Sequence, residues 1–392
     1  MTPAEDGCLS TLDLILAVMD CSRRPLDFGI VLHLRRAPSL DALRAGARSA
    51  RNLYPVTGSV IRGKRWIPTA VPADGVIEVA SSDAVQEFFD RRLDPRQHAP
   101  LQQLVVIEKT QGGVMLVTRA HHAAADGLSV AMWLHHQFRV ACGLEAPTIK
   151  PAARVPVLTR GHSSPIRKSP LGYRGPAQRV WTRGSLSSGS RRWLTIEIPV
   201  RADDTAVLAT AALETLVQWN RTHHTGAERI GLWLPVSIRR PRVLHFGNGT
   251  SRIRVYPRYS ADAAIADKRQ ELRRQIRWEL KHGEWAVPAR HMLTQLPLWL
   301  GAPLLRLYLN RPWVDMGSSA LSCAANWTGH DDTVFRDIEK IECVGQLHKR
   351  YAVVLNGVSH GGKTWMTFTF DPERLTFTDI AQFADLYREH LR

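Results

Sequence analysis

The spacing of apolar positions changes several times along the chain, and each change marks an element. Helical spacing runs over 9–19 and, after Ser39, over 40–53. Between them, residues 28–34 form a short apolar run that predicts a strand. Two further strands are predicted at 101–108 and 114–118, joined through Gln111-Gly112-Gly113 as a hairpin, and helical spacing returns over 128–140. The second half uses the same alphabet. Strands are predicted at 193–198, 230–236, 253–256, 351–355 and 364–370, and helices at 203–219, 263–281 and 378–391, the last introduced by Asp371-Pro372 and a Thr cap. Strand and helix are interleaved throughout, so the fold class is α/β or α+β with mixed sheets.

Two stretches break the pattern. Residues 143–192 hold ten Lys and Arg against the single acid Glu145, with six prolines between 147 and 176 and a Gly/Ser cluster at 184–190. This stretch shows no sustained period and reads as a crossover. It divides the chain into 1–145, a linker at 146–190, and 191–392. A length of 392 residues also favours two domains, since single cores stop growing at roughly 250–300 residues. The most apolar window, 296–309, is interrupted by Pro297, Gly301, Pro303 and Arg306. It is too short to span a bilayer, and a buried helix pair is expected in preference to a membrane-surface contact or a channel for an acyl chain.

Composition narrows the function classes. At 44% hydrophobic and 22% charged the chain is an ordinary globular one. Its net charge of +16 raises nucleic acid, a membrane surface or an acidic small molecule or protein as partner. Most of that excess, +9, sits in 143–192, and no zinc-finger, helix-turn-helix or RNA-recognition pattern accompanies it, which argues against nucleic acid. No basic and apolar leader opens the chain, so a cytoplasmic protein is expected. Cys8, Cys21, Cys142, Cys323 and Cys343 are widely spaced and read as free thiols, mostly core, with no metal site.

The chemistry sits at the end of the 114–118 strand, where the chain reads Arg119-Ala120-His121-His122-Ala123-Ala124-Ala125-Asp126-Gly127. A loop between strand and helix is where rigid scaffolds place reactive groups, and an imidazole there accepts a proton from a hydroxyl or amine near neutral pH. Asp126 either orients the imidazole of His122 or turns away to pair with an arginine; spacing leaves both open. Gly127 permits a positive φ or the close approach of a ligand. A second motif, Gly357-Val358-Ser359-His360-Gly361, matches the nucleophile elbow of serine hydrolases, but alternating residues follow it at 364–370, so it reads as a hairpin turn.

The His-His-x-x-x-Asp-Gly stretch resembles the signature of the superfamily that holds chloramphenicol acetyltransferases, peptide-synthetase condensation domains, wax ester synthases and plant BAHD acyltransferases. Further pieces follow in that superfamily's order: Tyr54-Pro55-Val56-Thr57-Gly58, Pro235-Val236-Ser237-Ile238-Arg239, Gly247-Asn248, and Ala325-Asn326-Trp327-Thr328-Gly329, with Ala where Ser is usual. The Asp-Phe-Gly-Trp-Gly signature of BAHD enzymes is absent. The resemblance implies two chloramphenicol-acetyltransferase-like lobes with a tunnel between them. It also implies an acyltransferase moving an acyl group from coenzyme A, or from phosphopantetheine on an acidic carrier protein, to an alcohol or amine. His122 is then the general base, beside His121, and Asp126 is structural, paired with Arg239 or Arg51. Gly127, Asn248, Ser322, Asn326 and Thr328 are the expected substrate-side residues. The alternatives are a serine hydrolase using Ser359 and a catalytically silent docking module.

Overall fold

A computed structural model describes residues 7–20, 25–69, 77–81, 84–107, 113–145, 177–184, 190–227, 229–237, 239, 246–282, 296–309, 317–324, 334–347 and 351–392. The first half runs α1 (Thr11–Met19), β1 (Asp27–Leu34), α2 (Leu40–Leu53), β2 (Ser59–Arg62), β3 (Arg65–Pro68), β4 (Ile77–Ala80), α3 (Ala84–Asp90), β5 (Leu101–Ile107), β6 (Val114–His121) and α4 (Gly127–Ala141). The second half runs β7 (Arg192–Ile198), α5 (Thr205–Thr222), β8 (Leu232–Ser237), β9 (Thr250–Val255), α6 (Ile265–His282), α7 (Leu298–Leu309), β10 (Ser319–Ala324), β11 (Ile338–Val344), β12 (Val353–His360), β13 (Lys363–Phe370) and α8 (Phe377–Leu391).

These strands build a mixed α/β fold around two large sheets. The first has the order β11-β1-β6-β5-β4 and the second β7-β13-β12-β10-β8-β9. In β1 the alternation of side chains serves two cores. Ile30, Leu32 and Leu34 face α2 and α4, against Leu43, Ala47, Leu134 and Phe138, while Val31 faces Val85, Phe88 and Phe89 of α3. Gly46 is required where α2 meets α4, because a Cβ there would stand 2.2 Å from the Gln137 carbonyl. In the second sheet, Met366, Phe368 and Phe370 of β13 pack under α5 and α8, against Leu208, Phe383 and Tyr387. Ser39 caps α2, and Thr376 with Asp379 forms a capping box on α8, each supplying an orphan N–H with a partner.

The two sheets are tied together in a way the division at 146–190 does not anticipate. β11 leaves the second half and pairs antiparallel with β1, Gly29 opposite Val344. From the other sheet, Thr367 and Thr369 of β13 accept backbone N–H groups of Cys343 and Gly345, at 3.1 and 2.9 Å. Val358 and Trp365 reach into the first core.

Part of the expected linker is also structural. Residues 177–184 are packed: Val180 lies in the second core, Trp181 receives its backbone partner from Asn220, and Arg183 forks onto Asp379. Most of the remaining linker, with Arg167, Lys168 and Arg174, lies outside the described residues, as does Cys21. Of the described cysteines, Cys8 and Cys142 are exposed rather than core, and all four are free thiols. Burial pushes the Cys323 and Cys343 thiols up to about 12.

The window at 296–309 departs furthest from expectation. It holds one continuous helix, α7, with Pro303 inside it; Leu305 is buried, while Trp299, Leu300, Leu304 and Leu307 are exposed. No helix among the described residues is long and apolar enough to cross a membrane.

Candidate active site

β6 ends at His121, the chain turns through His122 to Ala125, and Asp126 caps α4. The two histidines have different surroundings. His121 is fully buried; its Nδ1 accepts the Ala123 N–H at 3.0 Å, so a neutral ring carries its proton on Nε2, which faces Asp20 Oδ1 at 3.5 Å. Asp20 ends α1 and also accepts from the Leu26 N–H and from Arg92. Burial pushes that carboxyl up, but its bonds to His121 and Arg92 outweigh burial and hold it at about 2. His121 therefore fixes the turn.

His122 is partly exposed, and its ring rests on Phe28 with centroids 4.3 Å apart. Its backbone is held at both ends: the N–H donates to Leu26 at 2.8 Å and the carbonyl accepts from Asn248 Nδ2. Burial lowers the imidazole to about 4 against the opposing pull of Asp126, so the ring is neutral at physiological pH.

Asp126 faces away from this chemistry. Its Oδ2 accepts from Arg239 Nη1 at 2.7 Å, from the Thr250 hydroxyl at 2.7 Å and from the Gly249 N–H at 3.0 Å. Its Oδ1 accepts from Arg239 Nη2 at 2.7 Å and from the Ser129 N–H at 3.0 Å. Burial alone would raise this carboxyl; the bidentate arginine, the hydroxyl and the backbone donors win and lower it. Arg239 Nη2 also reaches Ser129 Oγ and the Gly247 carbonyl, both at 2.8 Å. Gly249 allows the guanidinium in, since a Cβ there would lie 2.6 Å from it. The other arginine named from the sequence, Arg51, bonds instead to the Gly58 carbonyl and Thr69.

The remaining expected residues separate. Asn248 is buried, and its amide bridges the His122 carbonyl and Asp13 Oδ1, the latter at 3.2 Å, so it tethers the loop. Gly127 does not take a positive φ; it opens α4 in ordinary helical conformation, exposed, and a Cβ there would meet nothing within 4 Å. Ser322 lies on β10, opposite Asn356 of β12. Asn326 and Thr328 lie outside the described residues. Ser359 is inside β12, bonded to the Ala202 N–H at 2.8 Å and the Thr364 hydroxyl at 2.7 Å, and Gly361 and Gly362 then turn the chain into β13. That geometry is a hairpin and lacks the helix a nucleophile elbow requires.

Several supporting residues were not found from the sequence. Asp13, which forms a capping box with Ser10, was detectable as a Ser-x-x-Asp signal, but not its contact with Asn248. Asp27 stands opposite His121 in the β1–β6 register and binds two buried arginines, Arg119 and Arg191. Arg119 also donates to the Phe88 and Arg91 carbonyls. No local pattern announces such a triad.

No family model matches the chain, and no curated protein does. Solved structures do. The starter condensation domain of rhizomide synthetase RzmA, in complex with C8-CoA and Leu-SNAC, matches with a TM-score of 0.70 at 12% identity over 98% of this chain and 94% of its own. The EpoB cyclization-docking bidomain of the Sorangium cellulosum peptide synthetase matches with 0.68 at 10% identity, over 100% of this chain and 86% of its own. TRI3 trichothecene 15-O-acetyltransferase from Fusarium sporotrichioides matches with 0.64 at 12% identity, over 98% and 94%. Both large sheets fall within these near-complete overlaps, and the chain has the fold of condensation domains and of this O-acetyltransferase, the fold that its His-His-x-x-x-Asp-Gly stretch implies.

Proposed function

We propose that the protein is an acyltransferase that moves an acyl group from a thioester, coenzyme A or carrier-protein phosphopantetheine, to a hydroxyl or amine. One observation carries this reading: His122 presents a neutral, partly exposed imidazole on a turn held by His121, Asn248 and Asp126, while Asp126 itself is occupied by Arg239. The imidazole accepts the proton of the acceptor as its oxygen or nitrogen attacks the thioester carbonyl. When the tetrahedral intermediate collapses, the carbon–sulfur bond breaks and the same proton passes to the departing thiolate. Assistance of this kind contributes about a hundredfold to ten-thousandfold, and holding the two substrates at attack distance supplies the rest.

We assign the oxyanion donor to the stretch beginning at Ser322, and substrate contact to the open surface beside Gly127, where no side chain stands in the way. The structural match to a domain complexed with C8-CoA supports a thioester donor. We place the enzyme in the cytoplasm, where coenzyme A and carrier proteins meet small-molecule acceptors.

The test is release of free thiol from a panel of acyl-coenzyme A and acyl-carrier-protein donors, each with alcohol and amine acceptors. Acceptor-dependent thiol release that His122→Ala removes supports the assignment. A folded protein that releases no thiol with any pair moves it to the silent docking module.

A further inference from the structure

α5 and α8 cover one face of the second sheet, and the period of two puts every other side chain of its strands on the opposite face. Toward β12 and β13 that face is closed by the first sheet, through Val358 and Trp365 in the first core and Thr367 on β11. Toward the edge it opens. Pro235 and Ser237 of β8 and Arg252 and Arg254 of β9 are exposed, and neither strand carries an acid.

The pairing registers arrange this face in rows. Thr250, opposite Ser237, lies nearest the His-His turn, since its hydroxyl donates to Asp126. Arg252, opposite Pro235, is one row further out along β9, and Arg254, opposite Trp233, is two. At the usual strand rise their Cα atoms stand about 7 Å and about 13 Å from that of Thr250. The guanidinium of Arg252 lies over the buried Trp233 ring, 3.2 Å from its centroid. A stacked guanidinium is ordered before a ligand arrives, and its fork matches two phosphate oxygens.

The inner end of the Arg252 row is polar. The β8–β10 ladder ends at Ala320–Trp233, and Pro235, which has no N–H to pair, follows on β8 with Ser322 across from it on β10. Beside Ser322, Asn356 of β12 has a buried Nδ2 with no hydrogen-bond partner among the described residues. An unmet amide donor marks a place where a polar group from outside the chain belongs. Asn356, Ser322, Pro235 and Arg252 thus make one transverse row, roughly 15 Å long at the usual strand spacing, amide at the inner end and cation at the outer. A thioester donor presents the same order of groups: the amides of the pantetheine arm, then the phosphate.

We propose that Arg252 and Arg254 form the phosphate subsite of the thioester donor, with the amides of its pantetheine arm lying over Ser322 and Asn356. This rests on the acyl-transfer reading and adds where the donor is held. Coenzyme A and carrier-bound phosphopantetheine share the phosphate, so the subsite serves the chemistry common to both.

The experiment compares kcat/KM for matched acyl-coenzyme A, acyl-carrier-protein and acyl-pantetheine donors, the last without a phosphate. The wild type should prefer the phosphorylated donors. Arg252→Gln/Arg254→Gln should reduce that preference about tenfold, through KM, with an unchanged melting temperature because both side chains are exposed. Loss for both phosphorylated donors, or for one of them, supports the subsite, and the larger loss identifies the donor. An unaltered preference while thiol release continues overturns the subsite and leaves the acyl-transfer reading standing. Where no donor releases thiol, that reading fails, and titration calorimetry with coenzyme A and with pantetheine reads the subsite by itself. Tighter binding of coenzyme A that the double variant abolishes supports it, and equal or absent binding overturns it.

Discussion

Asp126 binds Arg239 with both carboxylate oxygens at 2.7 Å, although the His122 imidazole is only four residues back in the chain. Spacing allowed either arrangement, and the fold takes the one that separates the imidazole from its scaffold. The carboxylate joins α4 to β9 through Thr250 and to the segment before it through Gly249. The imidazole is left to Phe28 and to the backbone of Ala125.

Asp126→Asn should therefore act first on stability. It leaves a buried guanidinium without its counter-charge, a loss of about 3–5 kcal/mol for a pair of this kind. Chemical denaturation should show the midpoint falling with an unchanged slope. Arg239→Met in the same background should restore part of the loss, because the unpaired cation is then gone. A normal midpoint with lost thiol release would make Asp126 an orienter of His122 after all.

His122→Ala should do the reverse. The ring is partly exposed and touches Phe28, so its removal leaves a small gap and little change in melting temperature. Thiol release should fall by about two to four orders of magnitude. Retention of more than a small part of the turnover removes His122 from the role of base.

The long elements could be read from the sequence because their own residues specify them. α2 begins at its Ser39 cap and α8 at Thr376, and both carry the expected apolar stripe. β11 was missed although Ile-Glu-Lys-Ile-Glu-Cys-Val has a strand composition, because its partner, β1, lies some three hundred residues earlier and no local rule selects it. α7 shows the limit of hydropathy. Its composition told that it was apolar but not which side a neighbour would cover; among the described residues α1 packs on one side of it. The site divides in the same way. His122 and Asp126 lie in one contiguous motif, and Arg239 was one of two candidate partners. Asn248 was expected on the substrate side, and its tethering role escaped because it depends on Asp13, 235 positions away.

Asn248→Ala tests that tether. The substitution leaves the His122 carbonyl and Asp13 Oδ1 without their shared donor, and each unsatisfied buried acceptor costs about 1–3 kcal/mol. Turnover is expected to fall about tenfold with little change in the KM for thioester, because the imidazole is displaced rather than removed. Asn248→Asp should be worse than Asn248→Ala, since it sets a second carboxylate against Asp13. Equal, full activity in both variants would show that the loop keeps its geometry without the amide.

Ser359→Ala should leave thiol release unchanged. The hydroxyl is bonded to the Ala202 N–H and to Thr364 inside a β-hairpin, so its loss is structural and modest, about 1 kcal/mol by melting. Labelling of Ser359 by a fluorophosphonate, with parallel loss of activity, would restore the hydrolase reading.

The last prediction concerns pH. Burial lowers the His122 imidazole from 6.5 to about 4, so the folded ring stays neutral well into the acid range. The acid limb of kcat/KM should accordingly fall far below pH 6.5, with rates level from neutrality to about pH 5. Stability starts to fall at a higher pH. Between 6.5 and 4 the unfolded chain takes up a proton on this ring that the folded protein does not, so folding weakens as pH falls through that window. The lowered carboxyls of Asp126 and Asp20 act in a more acidic range, because their stabilisation is complete above the ordinary carboxylate value of 3.8 and is lost only below it. Melting temperatures of the wild type and His122→Gln between pH 7 and pH 4.5 separate these groups. The wild type should lose more stability than the variant over that range, and parallel curves would mean that the ring is not held neutral by burial.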